Sequence, residues 1–505
     1  MVQGTSSHAG KSTLVAALCR IFARSGHRVA PFKAQNMSNN AAVTADGGEV
    51  GRAQAMQAAA ARTAISVDMN PILLKPQSDY TSQVVVLGRA RERNDAREYY
   101  DRTAELWPVV TGALDRLRAE FDIVIIEGAG SPAEINLERY DLVNMRVARH
   151  ANAPVLLVGD IERGGVFAAL FGTVALLPDA DRALIRGFII NKFRGDPSLL
   201  DPGFVALEER TGIPTLGVLP YLDLSGLPAE DAVDWDRAAL RSDEQTLIDV
   251  AIMRLPRIAN LDELQPLAAE PGVRVRWIAD PAKFGTPDLI IVPGTKSTMA
   301  DLAWLRERGL DAAIVERRAT GTPVLGICGG FQMLGDSLID EDGVEAKGKA
   351  DGLRLLPVTT HFAADKLTRR VEARVESDTA LWAAGDVLGP LAAYEIHMGR
   401  TTLDDVEDTT RRPFSVGEGD ARHADGCATA DGLVVGTYLH GLLENATLRR
   451  AMLAALARRK GVTLPDSPPL PTIDEAFDAL ADVVARDLDL AAVAAMTGLP
   501  LDGAR

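Results

Sequence analysis

The stretch that decides the fold of this chain is Gly4-Thr-Ser-Ser-His-Ala-Gly-Lys-Ser-Thr13. It joins a short apolar segment to a helical pattern whose apolar residues share one face, namely Leu14, Val15, Leu18, Ile21 and Phe22. Glycines let backbone N–H groups close around phosphate oxygens, the start of the helix adds its dipole, and a lysine neutralises phosphate charge. The pattern therefore predicts a nucleotide-binding loop. We assign its contacts to Gly4, Thr5, Gly10, Lys11, Ser12 and Thr13.

Strand-like and helical segments alternate on both sides of one polar stretch. The first set of apolar runs lies at 27–33, 121–126, 154–159, 186–190 and 214–219. The second set lies at 249–253, 273–278, 288–292, 323–327 and 433–438. Alternation of this kind predicts parallel α/β sheets. We predict a first domain at 1–226, a linker at 227–246, a second α/β domain at 247–457 and a helical tail at 458–505 that packs on one domain.

Composition excludes several classes of protein. A chain of 505 residues with 47% hydrophobic and 25% charged residues is an ordinary globular protein of two domains. The net charge of −16 argues against a general nucleic-acid binder, because such proteins gain their affinity from Lys and Arg on phosphate. No apolar run approaches the roughly 20 residues that span a bilayer. We expect a cytoplasmic protein that binds neither nucleic acid nor membrane.

Polar residues follow two strands of the first domain. Glu127 comes directly after the run 121–126, and Asn191-Lys192 ends the run 186–190. Ligands of open α/β sheets bind at the carboxyl ends of the strands. We therefore predict that Glu127 binds magnesium together with Ser12, and we assign Glu49 as a further magnesium ligand; a capping or loop carboxylate is the alternative for Glu127. Asn191 and Lys192 are predicted to contact the nucleotide base, although an ordinary strand exit is nearly as good an interpretation.

The second domain carries a cysteine in the setting of a nucleophile. Gly326-Ile-Cys328-Gly-Gly-Phe-Gln332 joins an apolar strand to a helix through a tight turn, where the helix dipole favours a thiolate. The backbone around Gly294, at the end of another strand, is predicted to stabilise the oxyanion of a substrate amide. His440, just after the run 433–438, is the predicted base. The sequence does not identify the group that orients its imidazole.

The remaining cysteines and one histidine are assigned lesser roles. The three cysteines lie far apart without the spacing of a zinc site or a disulfide framework. We expect Cys19 to belong to the core and Cys427 to be a loop thiol. His397, in Tyr394-Glu-Ile-His-Met-Gly399, is expected to have a structural or substrate-contacting role rather than a catalytic one.

Several further segments resemble the cobyric acid synthase family over nearly the whole chain. They are Pro31-Phe-Lys-Ala-Gln-Asn-Met-Ser-Asn-Asn40, Gly51-Arg-Ala-Gln54, Met69-Asn-Pro-Ile-Leu-Leu-Lys-Pro76, Glu127-Gly-Ala-Gly-Ser-Pro-Ala-Glu-Ile-Asn-Leu137, Gly159-Asp-Ile-Glu-Arg-Gly-Gly165, Asn191-Lys-Phe-Arg-Gly-Asp196, Arg254-Leu-Pro-Arg-Ile258 and Gly326–Gly335. The nucleotide loop, with one extra residue between its glycines, is similar to that of amidoligases related to dethiobiotin synthetase. The resemblance implies such an amidoligase domain followed by a class I glutamine amidotransferase domain.

The resemblance also implies the reaction. It is amidation of the b, d, e and g carboxylates of adenosylcobyrinic acid a,c-diamide. One ATP and one glutamine are consumed for each amide, and magnesium is required as a cofactor. Ammonia made at Cys328 is expected to reach an acyl phosphate without release to solvent. Lys33, Arg52 and Lys75 lie in the family-like segments and are candidates to hold the anionic corrinoid. An equally good alternative is that the three are solvated charges on the protein surface.

Three positions depart from the family pattern. His8 stands where Asp is common, and Leu442 stands where ordinary class I glutaminases have the Glu of a His-x-Glu motif. Met1 precedes Gly4 by only three residues, so we expect a short first strand and leave open a start further upstream.

Three competing interpretations stay open at this point. Two are related amidating enzymes, a cobyrinic acid a,c-diamide synthase and the amidase of cell-wall lipid intermediates. The third is a partitioning-type ATPase in which the second half is a degenerate binding module.

Overall fold

The computed structural model describes residues 1–78, 80–222, 246–404, 410–417, 419, 422–465 and 472–501. These residues form two compact units. The first contains 1–38, 49–222 and 472–501, and the second contains 39–48 and 246–465 where described. The sequence limits of 1–226 and 247–457 differ from this division at two places: 39–48 folds with the second unit, and the limit at 457 falls inside the helix Ala446–Lys460, so 458–465 also belongs to the second unit. The predicted linker, 227–246, lies outside the described residues apart from Thr246.

The secondary structure follows the predicted alternation. The strands are β1 Val2–Gly4, β2 Val29–Phe32, β3 Gln35–Met37, β4 Ala41–Val43, β5 Glu49–Gly51, β6 Ile72–Pro76, β7 Thr81–Val86, β8 Arg89–Asp95, β9 Ile123–Ile126, β10 Val155–Asp160, β11 Ile185–Phe193, β12 Thr215–Pro220, β13 Ile248–Met253, β14 Val273–Ile278, β15 Leu289–Val292, β16 Val324–Ile327, β17 Ser337–Asp340, β18 Gly348–Asp351, β19 Val358–Val375, β20 Leu391–Leu403, β21 Thr410–Arg411, β22 Phe414–Val416, β23 His423–Asp425, β24 Cys427–Thr429 and β25 Val434–Thr437. The helices are α1 Lys11–Arg24, α2 Arg52–Ala60, α3 Ala96–Asp101, α4 Thr103–Glu120, α5 Met145–Ala151, α6 Val166–Leu176, α7 Asp179–Arg182, α8 Asp201–Thr211, α9 Gln265–Ala268, α10 Thr298–Glu307, α11 Leu310–Ala319, α12 Gly329–Leu334, α13 Ala446–Lys460, α14 Ile473–Asp487 and α15 Leu490–Thr497. Each of the ten predicted strands is confirmed.

The first unit is built on parallel strands in the order β1-β10-β11-β12, with β2 and β9 paired in parallel alongside. A parallel bridge between Val2 and Glu127 continues the pairing from β1 to the end of β9. The strands are largely apolar, as expected where helices cover both faces of a parallel sheet. This register brings the nucleotide loop after β1 and Glu127 after β9 to the same sheet edge, as predicted.

A second sheet in the first unit follows the order β3-β6-β7-β8 and is mostly antiparallel. The sequence analysis did not predict its hairpins. The family-like segments meet beside it: Asn36 donates to Gln54 at 3.3 Å, and Asn70 accepts from the N–H of Gly51 at 2.9 Å. A Cβ on Gly51 would lie 2.5 Å from the Asn36 amide, so this contact requires glycine.

The second unit contains a sheet in the order β14-β13-β15-β16-β25-β24-β21, parallel from β14 to β25. Its strands β13, β15 and β16 are fully buried and line the core of the unit. A largely antiparallel sheet of β17, β18, β19, β20, β22 and β23 packs beside it and was not predicted. Cys427 lies in β24 with its side chain buried, so the expectation of a loop thiol is wrong. Cys427 is in a strand because β24 forms a hairpin with β25 and so extends the parallel sheet with an antiparallel strand.

The C-terminal helices pack on the first unit, as predicted for the tail. Thr472 and Glu475 form a reciprocal capping box at the start of α14. Phe477, on the apolar face of α14, is fully buried in the core that α1 also lines. Arg20 of α1, itself fully buried, donates to Asp474 at 2.5 Å and to Asp478 at 2.9 Å. Among the described residues, no helix is both long and apolar enough to cross a membrane.

Two candidate active sites

The nucleotide loop of the first unit has the geometry that its glycines permit. Gly10 has a φ of 93°, in the left-handed region, and directly precedes α1. A Cβ at this position would lie 2.0 Å from the Asn191 amide nitrogen. Both the backbone conformation and the close approach of Asn191 therefore require glycine. His8, which departs from the family pattern, is exposed and also has a positive φ, at 61°.

Asn191 and Lys192 hold this loop from the end of β11. The amide of Asn191 donates to the carbonyl of Ala9 at 2.9 Å, and the Lys192 ammonium donates to the carbonyl of His8 at 2.7 Å. Lys192 also forms an ion pair with Asp160 at 2.8 Å. These contacts fix the loop backbone before any ligand is bound. Contact of either residue with a nucleotide base stays a prediction.

A pocket lies directly beside the loop, within the first unit. Its lining includes Gly10, Thr13, Asn191, Lys192, Tyr221 and Val484. The guanidinium of Arg194 lies 3.8 Å from the centre of the Tyr221 ring and stacks on it. Its lining combines polar and apolar side chains, a mixture that is common in binding sites for small molecules. Val484 comes from α14, so the C-terminal helix contributes to this pocket.

Lys11 and Ser12 connect the loop to the end of β9. The Lys11 ammonium donates to the carbonyls of Ser6 at 2.9 Å and Gly130 at 3.3 Å. The Ser12 hydroxyl donates to the carboxylate of Glu127 at 2.7 Å. A hydroxyl and a carboxylate side by side are oxygen ligands of the kind that Mg²⁺ prefers. The structure thus brings Ser12 and Glu127 together.

Glu127 is fully buried and charged. Burial by itself raises the pKa of Glu127, but the charge of Lys33 and hydrogen bonds from Lys33, Ser12 and Gln57 hold that pKa below its usual range. The Lys33 ammonium lies 2.6 Å from the carboxylate and the Gln57 amide lies 2.5 Å from it. This ion pair keeps an anion available at the phosphate-binding edge.

The other predicted binding residues of the first unit are placed differently. Lys75 and Glu49 form a buried ion pair at 2.5 Å, with 3% and 1% of their side chains exposed. Lys33 is also buried, so the alternative of solvated surface charge is wrong for both lysines. Arg52 is partly buried at the start of α2. No group of three or more His, Cys, Asp or Glu side chains within the described ranges is arranged to hold a metal ion.

In the second unit, Cys328 lies at the sharp turn between β16 and α12. Its φ of 51° and ψ of −106° are strained for a residue with a Cβ. A Cβ on Gly330, two residues after Cys328, would lie 1.8 Å from the carbonyl oxygen of Val292. The start of α12 can therefore approach β15 this closely only with glycine at position 330. The strain is typical of a nucleophile elbow, which presents the side chain at a helix N-terminus.

His440 lies beside Cys328 and pairs with a carboxylate. Its Nδ1 is 2.9 Å from Glu263, whose other oxygen accepts the N–H of Gly441 at 2.9 Å. Burial alone lowers the pKa of His440, but the charges of Glu263 and the Cys328 thiolate and hydrogen bonds to both raise it to about 10. All three side chains are at least nine-tenths buried. The arrangement is that of a cysteine, a base and an orienting carboxylate.

The backbone around His440 is fixed from two sides. Tyr394 of β20 exchanges both backbone hydrogen bonds with His440 and stacks its ring on the imidazole at a centroid distance of 5.3 Å. Gly294 approaches from the end of β15: a Cβ there would lie 2.9 Å from the imidazole Cε1 and 3.7 Å from the Cβ of Cys328. The structure therefore brings Gly294, Cys328 and His440 together.

The sequence analysis missed Glu263, which lies 177 positions before His440 in the chain. In ordinary class I glutaminases a Glu follows the histidine in a His-x-Glu motif, and here Leu442 is at that position. A signal was present, since Glu263 follows the family-like segment Arg254–Ile258 by only five residues. Nothing in that spacing indicates contact with His440.

His397 has packing contacts, which fits the structural role expected for it. Its ring stacks on Tyr438 at a centroid distance of 3.8 Å, and its Nδ1 contacts the carbonyl of Gly399 at 2.8 Å. Cys19 is fully buried on α1, as expected, and burial raises its pKa well above the usual range.

Comparisons with known proteins define the class of both units. Residues 1–232 match the CobQ/CobB/MinD/ParA nucleotide binding domain, and residues 249–448 match the CobB/CobQ-like glutamine amidotransferase domain. The chain is therefore a nucleotide-binding protein fused to a glutamine amidotransferase.

Relatives that match over nearly the full length identify the family within this class. The chain is 51% identical to a cobyric acid synthase of Sorangium cellulosum over 99% of this chain and 98% of the relative. It is 48% identical to that of Dehalococcoides mccartyi strain CBDB1, covering 97% of each, and 47% identical to that of Pelotomaculum thermopropionicum, covering 99% and 96%. The chain belongs to the cobyric acid synthase family.

Proposed function

We propose that this chain is a glutamine-hydrolysing ligase of cobalamin biosynthesis. It amidates the b, d, e and g carboxylates of adenosylcobyrinic acid a,c-diamide and uses one ATP and one glutamine for each amide. The observation that carries the proposal is the presence in one chain of a nucleotide loop with Lys11 and a Cys328–His440–Glu263 cluster, together with full-length similarity to cobyric acid synthases. We expect the reaction to run in the cytoplasm.

The first unit activates the carboxylate. A carboxylate is a poor electrophile, and phosphorylation supplies a leaving group. Lys11 moves from the carbonyls of Ser6 and Gly130 to the transferred phosphoryl group, where its charge is needed. The base of ATP binds in the pocket between Asn191, Lys192 and Tyr221.

Ser12 and Glu127 have oxygen atoms of the kind that bind magnesium and would hold it, with Glu127 exchanging its contact with Lys33 for the ion. When bound, the ion supplies charge neutralisation at the phosphates. Glu49 is a further candidate ligand, but its carboxylate is engaged by Lys75 and would have to leave that ion pair. Lys33, Arg52 and Lys75 remain our candidates to hold the anionic corrinoid, and the two lysines would reach it only by leaving their carboxylates.

The second unit liberates ammonia from glutamine. The Cys328 thiolate attacks the side-chain amide carbon, and backbone N–H groups near Gly294 stabilise the resulting oxyanion. His440 gives its proton to the departing ammonia, which leaves a thioester on Cys328. Water deprotonated by His440 then attacks the thioester and releases glutamate. Glu263 stabilises the imidazolium whenever His440 holds the proton, which is consistent with the raised pKa of His440.

A direct assay tests this proposal. Purified protein is incubated with adenosylcobyrinic acid a,c-diamide, ATP, magnesium and glutamine, and the corrinoid is followed by mass spectrometry. We expect four successive carboxyl-to-amide conversions, with equal amounts of ADP and glutamate formed per conversion. Failure to advance beyond the diamide would contradict the substrate assignment. Product from cobyrinic acid itself would instead favour the a,c-diamide synthase.

A further inference from the structure

Residues 39–48 contact the second unit although the sequence on both sides of them belongs to the first. Arg370 of β19 donates to the carbonyl of Val43 at 2.5 Å. A Cβ on Gly47 would lie 3.0 Å from the carbonyl oxygen of Thr368, also in β19. The segment is therefore closely packed against this strand and is a part of the glutaminase unit.

The other end of the segment is bonded to the loop that carries Glu263. The backbone N–H of Ala41 donates to the side-chain oxygen of Asn260 at 3.0 Å, and the N–H of Leu261 donates to the side-chain oxygen of Asn40 at 3.3 Å. Asn40 and Asn260 are only 4% and 3% exposed. Each asparagine thus satisfies a buried backbone donor of the opposite segment, and loss of either would leave a donor without its partner.

The same loop reaches the catalytic groups. The amide nitrogen of Asn260 lies 3.5 Å from Nδ1 of His440, on the side where Glu263 binds. Asn260 has a φ of 54° and directly precedes the single helical turn Leu261–Leu264, which contains Glu263. The preceding residue, Ala259, donates its N–H to the carbonyl of Gly294 at 2.9 Å. One short loop therefore sets the positions of Glu263 and of the backbone near Gly294.

We propose that Asn40 and Asn260 are positioning residues for glutamine hydrolysis and that the 39–48 segment is a required part of the glutaminase site. Asn40 and the N–H of Ala41 fix the loop at Asn260 and Leu261, and the loop holds Glu263 against His440. The inference rests on the proposed roles of Cys328 and His440. It implies that residues 249–448, which match the amidotransferase family model, are incomplete as a glutaminase without this segment.

The test compares Asn40→Leu, Asn40→Asp and Asn39→Leu in the full-length protein. Asn40→Leu removes the acceptor of the Leu261 N–H, whereas Asn40→Asp keeps an oxygen there. Asn39→Leu makes the same change one position away, at a side-chain oxygen that has no hydrogen-bond partner among the residues that the structure describes. Glutamine hydrolysis is measured as kcat and KM, and synthesis with added ammonia shows whether the first unit is intact.

A second readout follows the Cys328–His440 pair itself. Iodoacetamide alkylation of Cys328 is measured against pH by peptide mass spectrometry, which separates it from the buried thiols of Cys19 and Cys427. If Glu263 is no longer fixed against His440, the imidazolium is less stable and favours ionisation of the neighbouring thiol less. Alkylation of Cys328 should therefore need a higher pH in Asn40→Leu. A substitution that only loosened packing elsewhere would leave this pH dependence unchanged.

We expect Asn40→Leu to lower kcat for glutamine hydrolysis by about tenfold, as for the loss of one buried hydrogen bond, with KM nearly unchanged. Asn40→Asp and Asn39→Leu should match the wild type, and all three should use ammonia normally. The inference would be overturned if Asn40→Leu kept the wild-type kcat and the wild-type pH dependence of alkylation. It would also be overturned if Asn39→Leu lowered kcat equally, or if Asn40→Leu lost ammonia-dependent synthesis in parallel with glutamine hydrolysis. If Cys328→Ala retained glutamine hydrolysis, the proposed function would fail instead.

Discussion

The two candidate active sites differ in how far apart along the chain their residues lie. The nucleotide loop is one continuous stretch, Gly4–Thr13, and its conformation follows from local glycines and the start of α1. The glutaminase site combines Glu263, Cys328 and His440 with Gly294, from four separate segments. A contiguous site can be identified from spacing alone. A dispersed site is defined only by its fold, and its geometry depends on every segment that holds it.

The electrostatics of the sites differ in the same way. At the nucleotide loop the Lys11 ammonium donates to the backbone carbonyls of Ser6 and Gly130. At the candidate glutaminase site burial opposes a charged His440, but the charge of Glu263, 2.9 Å away, raises the pKa of its imidazole. The cation of the first site is thus bonded to neutral backbone groups, whereas the second site pairs a carboxylate with an imidazole.

The sharpest way to separate the sites is Cys328→Ala. Removal of the thiol eliminates the nucleophile, so we expect glutamine-dependent synthesis to fall by about 10⁴-fold or more, to background. Synthesis with added ammonia should persist, because carboxylate activation does not use this residue. Product formation with each nitrogen source is the measurement, and Cys427→Ala, a buried thiol in β24, is the matched control. Equal loss with both sources would mean that the two sites are not separate.

Lys11→Ala is the reciprocal change. Without the ammonium group the phosphoryl transfer loses its main protein charge, and we expect synthesis with either nitrogen source to fall by about 10³-fold. Basal glutamine hydrolysis should survive. ADP release, corrinoid amidation and glutamate formation are measured together, with the exposed Lys349→Ala as control. Retained amidation would refute the role of the loop.

Glu263→Gln tests whether the second site depends on a distant carboxylate. The amide keeps the shape of Glu263 but cannot balance the imidazolium, so we expect kcat for glutamine hydrolysis to fall by about 10²-fold. Ammonia-dependent synthesis should be unchanged. Asp262→Asn removes the adjacent carboxylate and serves as control. If Asp262→Asn had the larger effect, the orienting group would have been misassigned.

The pH dependence of stability gives the smallest expected effect. The pKa of His440 is raised from its ordinary value of 6.5 to about 10 in the folded protein. Protonated His440 therefore stabilises the fold fully below pH of about 6.5, and this contribution is lost as pH rises through about 10. We expect the Tm difference between wild type and His440→Gln to be largest at about pH 6 and to shrink steadily as the pH rises to about 10. A difference that grew with pH would contradict the ion-pair assignment.

The sequence by itself determined the class of fold, the strands of both parallel sheets, the nucleotide loop and the nucleophile elbow. These features rest on local rules: apolar periodicity, the left-handed φ of Gly10, and glycines flanking Cys328 where β16 meets α12. Each of these features has a signal among residues that are neighbours in the chain, so it can be predicted from the sequence even where remote contacts such as Gly10–Asn191 reinforce it.

Only the tertiary structure decided the rest. Glu263 reaches His440, Lys33 pairs with Glu127, and Lys75 pairs with Glu49 because the chain brings distant segments into contact. The position of Cys427 in a strand and the packing of 39–48 against Asn260 are likewise consequences of pairing between remote segments. Ion pairs and buried hydrogen bonds depend on distances of a few ångströms in space, and separation along a sequence does not encode them.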